Sequence, residues 1–521
     1  MSIKKIKLFN FKKFNNLEVK YNEKINLLIG DNEAGKSTIL QAVDIVLSGS
    51  RYKVENIGLE NIFNRDIIDD FLASNKNIEN LPILSIELYL TEQHNQDLNG
   101  KNNSDELICD GLQMICEPDN ELSKEITEIL EQEDDNFPFE YYTIKFYTFS
   151  GEPYTGYKKY IKHLIIDSSQ INNEYATREY IKAVYNSLLI GTEKNKHYNE
   201  YRKFKEEYRE DVLSNINNRL GNNNFTVQTN SKSNLETDLT ISDENGVTIE
   251  NRGKGQQCFI KTEFALKIKD RGRELDIILL EEPENHLSHI NMKKLINMIS
   301  KSHDKQIFIT THNSLISTRL DLRKSILLNS NASVSIELVN LPEQTAKFFM
   351  KAPNNYILEY ILSKKVILVE GDAEFILMEA LYKNIIGEEL ADSGVHIISV
   401  GGTSFKRYLD IAKLLKIKTA VIRDNDGDYE QNVVNRYDEY LEEYIKIFSN
   451  EDNDKTTFEI CFYEDNKEIC ENLFKEGRRT LTVQEYMLKE KADVAFELLD
   501  KKAEELNTPE YIKEAILWIK E

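Results

Sequence analysis

Cysteine is scarce and unpaired in this 521-residue chain: Cys109, Cys116, Cys258, Cys461 and Cys470 are scattered, and none forms a CxxC pair. That pattern excludes a disulfide framework and a zinc ribbon, and leaves buried, reduced thiols as the expectation. Long apolar runs are missing too, none approaching the roughly 20 residues that span a bilayer. The opening Met-Ser-Ile-Lys-Lys-Ile-Lys-Leu-Phe alternates charge with apolarity, unlike the continuous core of a signal peptide. A cytoplasmic location away from membranes is expected. Positive charge is in deficit, 66 Lys and Arg against 89 Asp and Glu, for a formal charge of −23. Non-specific binding of nucleic acid over the whole surface is therefore excluded, although a local basic groove is not.

At this length one hydrophobic core is insufficient, so two or more domains are expected. Residues 3–11, 17–21, 25–29 and 83–90 read as strands, and 37–47 as a helix with Ile39, Leu40, Val43, Ile45 and Val46 apolar. From about 91 to 235 the sequence turns polar and Asn-rich, with a long helical pattern over 173–220. This stretch is expected to be a helical insertion and a candidate dimerisation region. The α/β pattern returns with strands at 277–280 and 306–310 around a helix near 290–301. After a junction near 340–362 it continues with strands at 365–369, 395–400 and 419–423 and helices at 373–383 and 405–415. Such alternation predicts parallel sheets covered by helices. The division expected is 1–345 and 346–521.

Gly30-Asp31-Asn32-Glu33-Ala34-Gly35-Lys36-Ser37-Thr38 fits GxxxxGK[ST] between a strand and a helix. Glycines let such a loop wrap a phosphate, and backbone N–H groups with the helix N-terminus supply positive potential. Lys36 is assigned to the β- and γ-phosphates, Ser37 to Mg²⁺, and Gly30, Asn32, Gly35 and Thr38 to the cradle. The apolar strand of Asp276-Ile-Ile-Leu-Leu-Glu281-Glu282-Pro283-Glu284 delivers two adjacent carboxylates. Glu281 is the candidate for the Mg²⁺ hydration shell and Glu282 for the attacking water. His312, at the end of the next strand, is placed to sense the γ-phosphate. Upstream, Arg252-Gly253-Lys254-Gly255-Gln256-Gln257 precedes a helix expected from about Cys258, as a second anion-binding helix N-terminus would. Gly253 and Gly255 are its candidates for close approach.

Together with Lys7-Leu-Phe-Asn-Phe-Lys-Lys-Phe14, Glu281-Glu-Pro-Glu-Asn-His-Leu287 and Thr310-Thr-His-Asn-Ser314, these motifs resemble the SMC-like and OLD-like ABC ATPases. The resemblance implies ATP held between two heads, hence a homodimer or higher homo-oligomer. It also implies that residues 253–255 are the ABC signature motif. Glu281 departs from the pattern, where Asp is more usual.

A second constellation is purely acidic. Val366-Ile-Leu-Val369 leads into Glu370-Gly-Asp-Ala-Glu374, and Ala420-Val-Ile422 into Arg423-Asp424-Asn-Asp426-Gly-Asp428. In a parallel sheet the two segments finish at one edge, where their carboxylates can converge. Glu370, Glu374, Asp424, Asp426 and Asp428 are the candidate ligands for Mg²⁺ or Mn²⁺, whose taste is for hard oxygens. An EF-hand reading of Asp-Asn-Asp-Gly-Asp lacks its closing Glu, since Asn435 stands there. Between the two segments, Val400-Gly-Gly-Thr-Ser-Phe405 reads as a strand-to-helix turn.

These three segments, in this order, resemble the Toprim domain of the OLD-family nucleases. That resemblance implies a metal-dependent DNA endonuclease under ATP control, in which Glu370, Asp424 and Asp426 serve catalysis. It also implies a later lysine, best matched by Lys491 with Lys489 next, and a further carboxylate at Glu459. The architecture is similar to that of the nuclease subunit of the Gabija anti-phage system, which implies antiviral defence and a helicase-like partner. The alternative is a non-catalytic ATPase switch that recruits an effector. A topoisomerase or primase would need motifs that are not recognised.

Overall fold

A computed structural model of the chain describes residues 1–132, 136–156, 160–168, 174–189, 192–219, 224–227, 235–267, 275–302, 304–329, 335–352, 356–401, 405–475 and 481–521. The chain divides into two compact units, Met1–His312 with Lys324–Glu337, and Asn313–Arg323 with Leu338–Glu521.

The first unit opens on an antiparallel pair, β1 (Ile3–Phe11) and β2 (Phe14–Lys20). β3 (Ile25–Gly30) is buried along its whole length. β4 (Leu84–Leu90), the two-residue β5 (Asn99–Gly100), β6 (Cys109–Pro118) and β7 (Tyr142–Thr148) extend the first sheet in the order β2-β1-β4-β6, with β5 and β7 both on β6. β8 (His163–Asp167), β9 (Ile277–Glu281), β10 (Gln306–Thr310), β11 (Ser325–Leu328) and β12 (Ser335–Glu337) join β3 in a second sheet, ordered β12-β11-β3-β10-β9-β8. All its pairings are parallel except β11–β12. The near-continuous apolar runs of β3, β9 and β10 are those of strands covered on both faces.

The helix Lys36–Ser48 touches strands of both sheets and is buried along most of its length, Lys36 and Asp44 included. In the second sheet β10 lies between β3 and β9, with Thr310 paired to Leu28 on one side and to Glu281 on the other.

The stretch expected to be a helical insertion needs correction. Its long helices lie in the later part, Glu174–Leu188 and the very polar Glu193–Asp211, with one short helix, Ser123–Leu130, earlier. Its earlier part supplies β5 to β8, because the alternating apolar residues of 109–118 and 142–148 complete a sheet face that β4 alone would leave uncovered. Asn173 and Leu220, the expected limits of that helical pattern, lie outside the described residues, as does the turn at 402–404.

The second unit holds a parallel sheet of β13 (Lys365–Val369), β14 (Val395–Ser399), β15 (Lys418–Ile422) and β16 (Ile445–Phe448), ordered β14-β13-β15-β16. Its core also takes in the helices Asp372–Ile386, Phe458–Asp465, Val483–Lys489, Lys491–Lys502 and Glu510–Lys520. Four cysteines are buried as expected and all five are free, but Cys109 is half-exposed at the start of β6. Among the described residues no helix is long and apolar enough to cross a membrane.

Candidate nucleotide and acidic sites

Gly30 and Gly35 bracket the loop between β3 and the helix Lys36–Ser48. Gly35 adopts φ +95°, and a Cβ there would stand 2.3 Å from the Phe14 ring, so another residue would be strained and would have to push that ring aside. Asn32 is exposed on the loop and Thr38 half-buried in the first helical turn. Lys36 is buried, and its Nζ donates to the carbonyls of Gly30 and Asp31 at 2.8 Å each. Burial lowers its pKa, against the pull of Glu282, Asp31, Glu284 and Glu281. Three carboxylates from the β9 edge thus stand near the lysine.

Glu281 is raised by burial, which the hydrogen bond from the Ser37 hydroxyl opposes and the nearby Asp167 reinforces. The pair Ser37–Glu281 brings together the two residues assigned to Mg²⁺. Glu282 leaves β9 with φ +44°. Its Oε1 lies 3.0 Å from His312 Nε2, while Oε2 accepts from Asn285 at 2.8 Å. These contacts put the candidate for the attacking water and the candidate sensor side by side.

The helix after Gly253 starts at Lys254, not near Cys258. A Cβ on Gly255 would stand 2.0 Å from the His286 carbonyl oxygen, whereas Gly253 has open space. The two glycines therefore differ. Gly255 lets the helix pack on the turn after β9, and Gly253 is free of that constraint.

Two further residues of this site escaped the sequence reading. Asp167 ends β8 in register with Glu281. The run His-Leu-Ile-Ile-Asp over 163–167, a short apolar strand closed by an acid, repeats the pattern of β9 and could have revealed it. Glu284 accepts both the Thr311 hydroxyl at 2.5 Å and the His312 backbone N–H at 2.9 Å on one oxygen.

In the second unit, β13 and β15 are parallel neighbours with Leu368 paired to Val421, so Glu370 and Asp424 leave the same edge. The Asp424 N–H points to Glu370 Oε2 at 3.4 Å, and Asp424 Oδ1 accepts from the Phe458 N–H at 2.7 Å. Burial, and then the carboxylates of Glu374, Glu370 and Glu459, push Asp424 up to about 8. Burial followed by Glu459 and Glu370 takes Glu374 to about 7. Glu370 is also raised by burial, with Arg423 opposing. Like charges in a poorly solvated space resist joint ionisation, and these shifts report that crowding. Lys491 Nζ lies 2.9 Å from the buried Glu459. Lys489, by contrast, faces Glu490 at 3.4 Å and is two-thirds exposed.

The candidates of the Asp-Asn-Asp-Gly-Asp segment part company. Asp426 is exposed and bonded to Arg423 at 2.8 Å, and Asp428 is exposed and accepts from the Gln431 N–H at 3.0 Å. The buried and half-buried set is thus Glu370, Glu374, Asp424 and Glu459, while the exposed Asp426 still adds its repulsion to Glu370. Among the described residues no three Asp, Glu, His or Cys side chains close on one point as ligands of a bound metal do. The fit to a divalent cation lies in donor chemistry. These are hard oxygens whose mutual repulsion a cation would relieve.

Comparison with known proteins follows the same division. The family model of the AAA ATPase domain matches residues 1–316, more than half of the chain. That of the Overcoming lysogenization defect protein-like TOPRIM domain matches 361–426. The Old nuclease of Escherichia phage P2 is 27% identical over 165 residues, which cover 29% of this chain and 28% of that protein. The alignment therefore spans about a quarter of that relative's length. The SMC head domain from Thermotoga maritima has 14% identity and a TM-score of 0.30, covering 64% of this chain and 97% of that one. The C-terminal region of the Xanthomonas campestris pv. campestris OLD protein has 24% identity and a TM-score of 0.23, covering 30% and 95%.

Proposed function

The chain belongs to the AAA ATPase domain family and, with its OLD-like TOPRIM domain, to the OLD family of ATPase–Toprim proteins; from that premise we propose that it is an ATP-controlled, divalent-metal-dependent DNA endonuclease. The observation that carries this reading is the gathering of Glu370, Glu374, Asp424 and Glu459, with Lys491, at the C-terminal edge of β13 and β15.

Mg²⁺ or Mn²⁺ bound there would supply Lewis acidity toward a phosphodiester and a water of lowered pKa. Glu370, Glu374 and Asp424 would hold it, with Glu459 completing the oxygen set. Lys491 carries the positive charge suited to an oxyanion that develops beside these acids. Asp426 and Asp428 take supporting roles, the first clamping Arg423 and the second starting the turn at Gln431.

In the other unit, Gly30 to Thr38 would cradle a nucleotide, with Ser37, Glu281 and Asp167 grouped for its Mg²⁺ and Glu282 for the attacking water. The exposed start of the Lys254–Lys267 helix, at Gly253, would meet a nucleotide held by a second copy in a homo-oligomer. We place the boundary between the ATPase and nuclease portions near 345. A setting in anti-phage defence, inside the cell and with a helicase-like partner, accords with the Gabija resemblance.

The test is to incubate plasmid DNA with the protein and Mg²⁺ or Mn²⁺, with and without ATP, beside Lys36→Ala. Metal-dependent cleavage that ATP alters in the wild type but not in Lys36→Ala is expected. No cleavage under any nucleotide condition would favour the non-catalytic switch.

A further inference from the structure

Glu284 is the least explained carboxylate near the nucleotide loop. It lies beyond the adjacent acids Glu281 and Glu282, and its side chain turns away from solvent. One oxygen, Oε1, accepts twice, from the Thr311 hydroxyl at 2.5 Å and from the His312 backbone N–H at 2.9 Å. The other, Oε2, is buried with no hydrogen-bond partner among the described residues. Meanwhile the His312 ring reaches the neighbouring acid, Nε2 lying 3.0 Å from Glu282 Oε1. Glu282 itself is anchored to β10, its N–H donating to the Thr310 carbonyl at 3.0 Å.

These contacts close a small circuit, in which the turn after β9 holds the backbone after β10 and the side chain after β10 returns to the end of β9. We propose that Glu284 is a positioning residue that fixes His312 against Glu282 through the acceptor geometry of Oε1, and that its negative charge is dispensable for this task.

Two observations support the second half. An ionised carboxylate wants donors on both oxygens, and a sealed, unpartnered Oε2 gives it none on one side. Burial favours the neutral acid, the Thr311 and backbone hydrogen bonds oppose that, and Glu282 adds repulsion, with a net upward shift. A proton on Oε2 removes the charge at the smaller cost of one unpaired hydroxyl. A glutamine presents the same C=O to Thr311 and His312 and an uncharged group in the place of Oε2.

Two variants separate geometry from charge. Glu284→Gln keeps the acceptor, and Glu284→Ala removes it. The direct readout is the His312 ring resonance in ¹H–¹³C spectra of histidine-labelled full-length protein, one of eight histidines, assigned by its loss in His312→Ala. The resonance should be unchanged in Glu284→Gln and shifted or broadened in Glu284→Ala. ATP turnover rests on the nucleotide reading above and is measured in parallel. Glu284→Ala should lower kcat by about 10- to 100-fold with KM nearly unchanged, the signature of a misplaced group in a site that still binds. Glu284→Gln should stay within about threefold of wild type. Thermal melting of both variants guards against simple unfolding, and Thr311→Val, which removes one donor, should reproduce part of the Ala effect on the resonance if Glu284→Ala fails to fold.

An unmoved His312 signal in folded Glu284→Ala would overturn the positioning role. Equal perturbation by Gln and Ala would overturn the claim that charge is dispensable. A wild-type protein with no ATP turnover would count against the nucleotide reading alone, since the resonance still reports on Glu284.

Discussion

Lys491 Nζ lies 2.9 Å from Oε1 and 3.0 Å from Oε2 of Glu459, and Glu459 is almost wholly buried while the lysine is half-exposed. The lysine neutralises a carboxylate that burial would otherwise leave costly, in a cluster with acid to spare. Burial works to lower the Lys491 pKa, but Glu459, Asp424 and Glu374 raise it overall, so the ammonium stays charged.

Removing that ammonium should therefore cost stability as well as activity. Lys491→Met is expected to lose about 1–3 kcal/mol in urea unfolding, the range for stranding a buried charged partner, toward the low end because the lysine is solvent-screened. Adding Glu459→Gln should recover most of the stability without restoring DNA cleavage. A double-mutant cycle on the four proteins measures the coupling.

The acidic cluster also sets a pH dependence. Glu374 and Asp424, near 7 and 8 in the fold, sit well above the roughly 4 of carboxylates in an unfolded chain. The folded protein thus holds protons that the unfolded chain has released, so their contribution to stability is full below about pH 4 and is lost as pH rises through about 7 to 8. Metal-free protein should melt at progressively lower temperature from pH 5 to pH 8.5. Added Mg²⁺ or Mn²⁺ should raise the melting temperature more at pH 8.5 than at pH 6, where it must first displace those protons. Equal stabilisation at both pH values would contradict the arrangement.

Much of this was legible in the sequence for physical reasons. β3, β9, β10, β13 and β15 are short apolar runs that end in Gly30, Glu281, Thr310, Val369 and Ile422, and a chemically distinctive residue follows or closes each. The parallel order then brings their ends together without further information. What stayed hidden depends on partners distant in sequence. β6 and β7 are recognisable as core only beside β4, and β8 only beside β9. The separation of Glu374 from Asp426 and Asp428 is likewise tertiary. Spacing made all of them candidates, while in the fold the exposed Asp426 pairs with Arg423 and the exposed Asp428 accepts from the Gln431 N–H. Glu459 and Lys491 stood out only through family resemblance, since a lone acid and a lone lysine on separate helices carry no local signature.

The two glycines of Arg252–Gln257 should respond differently to the same change. Gly255→Ala drives a methyl group to 2.0 Å from a backbone oxygen of the turn after β9, and should cost about 2 kcal/mol or more. Gly253→Ala has open space and should leave the melting temperature nearly unchanged, with its effect confined to ATP-linked self-association. Thermal melting and sedentation with and without ATP distinguish the two.

The central claim is that the acids at the ends of β13 and β15 cleave DNA. Its most direct test is metal-dependent plasmid cleavage by wild type, Glu370→Ala and Asp424→Ala under identical ATP conditions, with melting curves to show that all three are folded. Cleavage should fall at least about 100-fold in both variants, the scale for losing a group that acts on the reacting atoms. Cleavage that persists at the wild-type rate in both folded variants would contradict the assignment.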